Sequence, residues 1–146
     1  MSSYTIEKFN QFDGFAKDIG IVMTKAANGE AEGYIELEKR HFNPIGSVHG
    51  GCLFALADTV AGSALASTGV TCTTLSSHIE YLKGAMAGGS HKIIAEGVPV
   101  RVGRKIAVYE VRIKDEHGTL LCKVGVDFFI MSEKYQFRFT DGEGRQ

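Results

Sequence analysis

The chain predicts an α+β fold in which one long helix is wrapped by a curved antiparallel sheet, and three observations carry that expectation. The run CLFALADTVAGSALAS, Cys52 to Ser67, is too long for one strand and lacks β-branched alternation, so it reads as helix. Most of the remaining chain consists of period-2 segments bounded by turn signals. Those segments follow one another through short turns, which joins neighbours antiparallel. The helix carries a single charge, Asp58, and is apolar on nearly all sides, the pattern of a buried element. Ala55, Ala57, Ala61, Gly62, Ala64 and Ala66 keep its surface low enough for close packing against a sheet or a twin helix.

The other elements follow in order. Residues 4–16, YTIEKFNQFDGFA, place Ile6, Phe9 and Phe12 or Phe15 at helical spacing, predicting a short amphipathic helix across the sheet edge. Ile19–Lys25 and Glu32–Glu38 flank Asn28-Gly29, a strong hairpin signal. Lys39 to Val48 leads into the helix through a loop holding Pro44, Gly46, Gly50 and Gly51. After Gly69, Val70–Leu82 alternates Leu75, Ser77, Ile79 and Tyr81 against Thr74, Ser76, His78 and Glu80. Lys83 to Gly89 breaks the pattern. Strands are predicted over His91–Val102, Lys105–Lys114 and Thr119–Met131, with turns at Val102-Gly103-Arg104 and Asp115 to Gly118. In the last of them Cys122, Val124, Val126, Phe128 and Ile130 share one face. Tyr135, Phe137 and Phe139 alternate as an edge strand would, and the polar residues 141–146 are expected to fray. With no repeat or low-complexity linker, residues 1–146 read as a single domain.

Composition narrows the function. A formal charge of −1 supplies no basic stripe for nucleic acid. The first residues, MSSYTIEKFN, are polar and mixed, and the one long apolar run is too short and too interrupted for a membrane span. Cys52, Cys72 and Cys122, odd in number and without a CxxC pair, read as reduced thiols of a cytoplasmic protein. His41, His49, His78, His91 and His117 show no metal-ligand spacing, and no metal is expected. No GxSxG elbow is present, which sets a serine hydrolase aside.

Two features remain chemically suggestive. The residues three and four away from Asp58 are Phe54, Ala55, Ala61 and Gly62, with no cation among them. It is either a solvated carboxylate at the helix rim or a general base or nucleophile. Gly50-Gly51 opens the helix, where bare N–H groups and the dipole favour negative charge; the alternative is a tight turn needing positive φ.

Asn43-x-x-Gly46-x-x-His49-Gly50-Gly51, followed by Leu56-Ala57-Asp58, resembles the hotdog-fold thioesterases of the phenylacetic-acid-degradation (PaaI-like) group, over about Ile19 to Met131. That resemblance implies a hotdog fold, hydrolysis of acyl-CoA thioesters with coenzyme A as part of the substrate and no separate cofactor, and sites at a dimer interface. It gives Asp58 the role of catalytic carboxylate and Gly51 N–H that of oxyanion donor. It sets Asn43 near the thioester or its attacking water, His49 in fixing the loop, and Thr74 in holding water. Asn43 as a local turn residue and Thr74 as an ordinary β-branched strand residue stand beside those roles. His49 reads as a packing histidine ahead of a general base. Arg101, Gly103, Arg104 and Lys105 form a basic turn suited to CoA phosphates, or a solvated hairpin end. Lys83 and Gly84 are expected along the pantetheine path, with Gly50 also at the substrate. Phe54, Leu65, Leu75 and Tyr81 are candidates for the acyl pocket.

Gly51 and Asp58 lie seven helical residues apart, roughly 10 Å, so both cannot touch one carbonyl from the same helix. A two-fold homodimer brings one subunit's Asp58 beside the other's Gly51, and a homotetramer is the expected higher assembly. The competing classes are a hydratase or dehydratase of the same fold acting on acyl thioesters and a non-catalytic acyl-CoA-binding module. An aryl or phenylacetyl acyl group rests on family analogy alone.

Overall fold

The computed structural model describes residues 3–139. Its centre is helix α3, Gly50–Ala66, against a six-stranded sheet of order β1-β2-β4-β5-β6-β3. The strands are β1 (Ile21–Ala27), β2 (Glu30–Glu36), β3 (Cys72–Tyr81), β4 (Lys92–Val102), β5 (Ile106–Asp115) and β6 (Leu120–Ile130), and every pairing is antiparallel. The long helix and the six predicted strands from 19 to 131 are present with ends moved by one or two residues. The strand order is new: β3 does not sit between β2 and β4 but crosses to pair with β6, forming the sheet edge opposite β1.

The core lies between α3 and the sheet. Leu53, Leu56, Ala57, Val60, Ala61, Ala64 and Leu65 face down onto Ile35, Ile93, Ala95, Tyr109, Val111, Ile113, Val124, Val126 and Phe128, all buried. The inward face predicted for β6 is present, with Ile130 only half-buried at its end. The helix is less enclosed than its composition implies: Gly51 is exposed, and Ala55, Asp58, Thr59 and Gly62 are half-buried along one stripe.

The β1–β2 hairpin turns as expected, with Asn28 and Gly29 both at positive φ, 53° and 81°, as a two-residue primed turn requires. Ser67 Oγ at the end of α3 accepts from Gly29 N at 2.9 Å, and the buried Tyr109 hydroxyl donates to Gly29 O at 3.0 Å. The turn is thereby tied to both layers.

The single helix expected over 4–16 is two short ones, α1 (Ile6–Gln11) and α2 (Phe15–Asp18). Phe12 leaves helical geometry at ψ 124°, and its ring folds over Gly14, where a Cβ would lie 2.6 Å from Phe12 Cε1. Asn10 clips α1 to β1, its side chain donating to Met23 O at 2.8 Å and accepting from Met23 N at 2.9 Å. Tyr135, Phe137 and Phe139 form no strand; they cross back over the end of α3. The expected fraying of 141–146 lies outside the described residues.

Leu56, fully buried beneath α3, gives a direct check on the core. Leu56→Ala is expected to lower unfolding free energy by about 2–5 kcal/mol in urea titration with an unchanged m-value, because the cavity cannot collapse between helix and sheet. A loss under about 1 kcal/mol contradicts this packing.

Candidate active site

The site residues fall at the two ends of β3, which runs back along α3. At the first end, His49 caps the helix: its Nδ1 accepts from Gly51 N at 2.8 Å, while His49 O accepts from Cys52 N at 2.9 Å. A ring nitrogen accepting in this way is not free to take a proton from water, so His49 fixes the corner. Gly51 N–H, expected to face the substrate, is thus occupied. Gly50 N–H beside it has no acceptor among the described residues. The corner is pinned from β3, where Tyr81 Oη donates to Gly50 O at 2.9 Å. A Cβ on Gly50 would come within 2.9 Å of that hydroxyl, so close approach, not positive φ, demands glycine there.

Asn43 is committed to the loop. Its Oδ1 accepts from Ile45 N at 3.2 Å and Ser47 N at 3.0 Å, the contacts of a local turn. Gly84 packs beside Ser47, where a Cβ would lie 3.2 Å from Ser47 Oγ, and Lys83 N donates to Leu121 O at 3.1 Å. Gly50, His49, Asn43, Lys83 and Gly84 therefore belong to one neighbourhood.

Asp58 belongs to the other end. Thr74 Oγ1 donates to Asp58 Oδ1 at 2.7 Å. Alternation along 70–82 puts Thr74 on the face opposite Ser77 and Ile79, and the structure corrects this. The β3–β6 register slips between Thr74 and Ser76, leaving Leu75 as a bulge residue without a partner. That extra residue puts Thr74 on the face of the buried Phe128 and within reach of Asp58, though Thr74 itself stays exposed, and turns Leu75 outward at 55% exposure. Asp58 and Thr74 border a cavity of about 420 Å³ along α3. Its other walls include Tyr4, Phe9, Phe12, Phe128, Phe137 and Phe139. None of the four residues expected at an acyl pocket lines it: Leu65 is in the core, Leu75 points outward, Tyr81 holds Gly50, and Phe54 lies elsewhere on the helix. The aromatic residues gathered at both chain ends were the available signal for these walls.

Cys72 also lines the cavity, and burial, with the Asp58 charge adding to it, pushes its thiol up to about 11. A thiol so raised is protonated at neutral pH, which removes Cys72 as a rival nucleophile. Burial likewise raises Cys52 to about 11 and Cys122 to about 12.

The basic turn Arg101, Gly103, Arg104 and Lys105 joins β4 to β5, at the end of the sheet where β3 begins. Ile106 pairs with Phe129, and Phe129 with Thr73, so the turn stands two strands, about 10 Å, from Thr73. It shares Asp58's end of the molecule. Gly50 and Asp58 are eight helical residues apart, about 12 Å. Donor and carboxylate of one chain do not converge.

The sequence profile of the thioesterase superfamily matches residues 45–122, more than half of the chain. The chain belongs to the thioesterase superfamily. It has the hotdog fold of PaaI-like proteins and is a thioester hydrolase. Among solved structures, a mutant of the phenylacetic acid degradation protein PaaI from Thermus thermophilus is 30% identical with a TM-score of 0.75, covering 82% of this chain and all of that one (100%). A hypothetical thioesterase from Streptococcus pneumoniae, solved with coenzyme A, is 27% identical with a TM-score of 0.72 over 80% of this chain and 97% of its own. The 1,4-dihydroxy-2-naphthoyl-CoA hydrolase of Listeria monocytogenes is 27% identical over 75% of this chain and 89% of its length. Among the described residues no helix is long and apolar enough to cross a membrane, and no group of three or more His, Cys, Asp or Glu is placed to hold a metal.

The thiol shifts give a test of the site's chemistry. Relative to the ordinary value of 9.0, a Cys72 value near 11 cuts the thiolate fraction at pH 8 by about a hundredfold. Alkylation of the native protein by iodoacetamide at pH 8 is expected to be slower than that of free cysteine by about that factor, and to accelerate as pH rises toward 11. Rapid labelling of Cys72 at pH 7 contradicts the assignment.

Proposed function

We propose that this protein hydrolyses acyl-CoA thioesters in a homodimer, each site combining Asp58 and Thr74 of one protomer with the Gly50 corner of the other. The observation that carries the reading is the Thr74–Asp58 hydrogen bond at 2.7 Å on the wall of an apolar cavity. It holds Oδ1 and leaves Oδ2 to take a proton from water as the water oxygen attacks the thioester carbon. The negative charge then develops on the carbonyl oxygen, where the open Gly50 N–H at the start of α3 supplies a donor. Gly51 N–H, given to His49, keeps that donor in place. Collapse of the intermediate breaks the C–S bond, and the departing sulfur regains a proton, giving free acid and coenzyme A.

The partner requirement follows from the 12 Å between Gly50 and Asp58 and from the open edge of β3. An antiparallel pairing of β3 with its two-fold copy extends the sheet and sets the Tyr81 end of one strand beside the Cys72 end of the other. Lys83 and Gly84 then arrive with the Gly50 corner, and Arg101, Gly103, Arg104 and Lys105 with Asp58. The pantetheine arm is assigned to the first group and the CoA phosphates to the second, since Arg offers forked donors to phosphate. Support for a CoA substrate comes from the named relatives, one a CoA hydrolase and one solved with coenzyme A. The whole chain is read as one such domain, and three free thiols fit a reducing cytoplasm.

Asp58→Asn keeps shape and polar volume but removes the base. With benzoyl-CoA or butyryl-CoA and a thiol-detecting dye, kcat is expected to fall by about 10²–10⁴ with little change in KM. A folded variant retaining more than about a tenth of wild-type kcat sinks the assignment.

A further inference from the structure

The cavity beside Asp58 is walled in part by residues outside the matched family region. The matched family region ends at 122, whereas Phe137 and Phe139 form one wall of the cavity and Tyr4 and Phe12 another. These rings make one continuous cluster. Phe137 and Phe139 stack with centroids 5.5 Å apart and planes within 5°; Tyr4 meets them at 5.6 and 6.1 Å, and Phe12 meets Phe139 at 6.0 Å. The alternating aromatics form no edge strand, and the rings of Phe137 and Phe139 lie against the N-terminal segment. Tyr4 Oη reaches toward Ser63 of α3 without closing a well-formed hydrogen bond, and burial pushes the phenol up to about 12.

We propose that Phe137 and Phe139, with Tyr4 and Phe12, are the specificity-determining wall of the acyl chamber, restricting it to compact apolar acyl groups. The proposal rests on the reading of Asp58 as the catalytic carboxylate. The chamber runs along α3 from Asp58 to Ala66, both of which line it, a distance of about 12 Å. A volume of about 420 Å³ lies toward the small end of ligand pockets, which span about 300–1,000 Å³. An acyl group entering with its carbonyl at Asp58 meets the stacked rings at its far end. A ring or a hexanoyl chain fits; a palmitoyl chain, roughly 20 Å long at bond lengths of about 1.5 Å, does not. Aromatic rings suit this duty, since they bury large area with few rotatable bonds.

Two measurements test the wall separately from the reaction. The chain contains no tryptophan, so Phe139→Trp introduces a single fluorescent reporter into the chamber. Titration with a non-hydrolysable hexanoyl-CoA thioether is expected to shift its emission, and coenzyme A alone to leave it unchanged. An equal shift with coenzyme A, or none with the thioether, overturns the proposal whether or not the protein hydrolyses thioesters. In turnover, wild type is expected to prefer hexanoyl-CoA to palmitoyl-CoA. The double variant Phe137→Ala/Phe139→Ala is expected to raise the palmitoyl-to-hexanoyl ratio of kcat/KM at least tenfold. A folded double variant with an unaltered ratio removes the wall while leaving the thioesterase reading intact. A thioether-specific shift in a protein that hydrolyses no acyl-CoA would retain the chamber and remove the thioesterase reading.

Discussion

The hydrogen bond from Thr74 to Asp58 is the contact on which the proposed site depends. It joins the middle of the long helix to the first residues of an edge strand, and it depends on the bulge at Leu75. Without that extra residue Thr74 would point to the outer face and Asp58 would lose this partner. A half-buried carboxylate on an otherwise uncharged helix needs a polar partner, and this hydroxyl is the one provided. The same bond engages one carboxylate oxygen of a residue that lines the cavity. One hydrogen bond therefore satisfies a structural demand and, in the proposed reaction, holds the base in place.

At the opposite end of α3, side chains brace the backbone of the corner. His49 commits its accepting nitrogen to Gly51, Asn43 gives its side-chain carbonyl to the loop, and Tyr81 directs its hydroxyl to Gly50 O. Three polar side chains act as braces for a short piece of backbone. What they leave open is the Gly50 N–H at the helix start, where the dipole favours developing negative charge. Base and donor thus sit apart on one rigid rod, separated by about 12 Å, which makes pairing of two chains the natural route to a complete site.

Much of this is legible in the sequence. The Ala-rich run could only be a packed helix, Asn28-Gly29 could hardly be anything but a primed turn, and the β6 alternation matches its buried face residue for residue to Phe128. Asp58 stands out because no cation lies three or four residues from it on the helix. What stays hidden depends on long-range geometry. A bulge changes the parity of a strand without changing its composition, so alternation places Thr74 on the wrong face. Pairing of β3 with β6 is decided by the crossover, which no local pattern encodes. Period-2 spacing at Tyr135, Phe137 and Phe139 reads as a strand, yet the rings of Phe137 and Phe139 pack on one another across the end of α3. The occupation of Gly51 N–H by His49 is a side-chain rotamer choice, beyond the reach of motif spacing.

The central claim is that each site draws on two chains, and subunit mixing tests it most directly. Asp58→Asn removes the carboxylate, and Gly50→Val drives a side chain into the Tyr81 hydroxyl and spreads the donor corner. Each variant alone is expected to be nearly inactive. Equal amounts, exchanged to equilibrium, should recover about a quarter of the wild-type rate, because half of the dimers are mixed and one of the two sites in each keeps both groups. If exchange is demonstrated by mass spectrometry and the mixture stays at the background of either variant, the two-chain site is wrong.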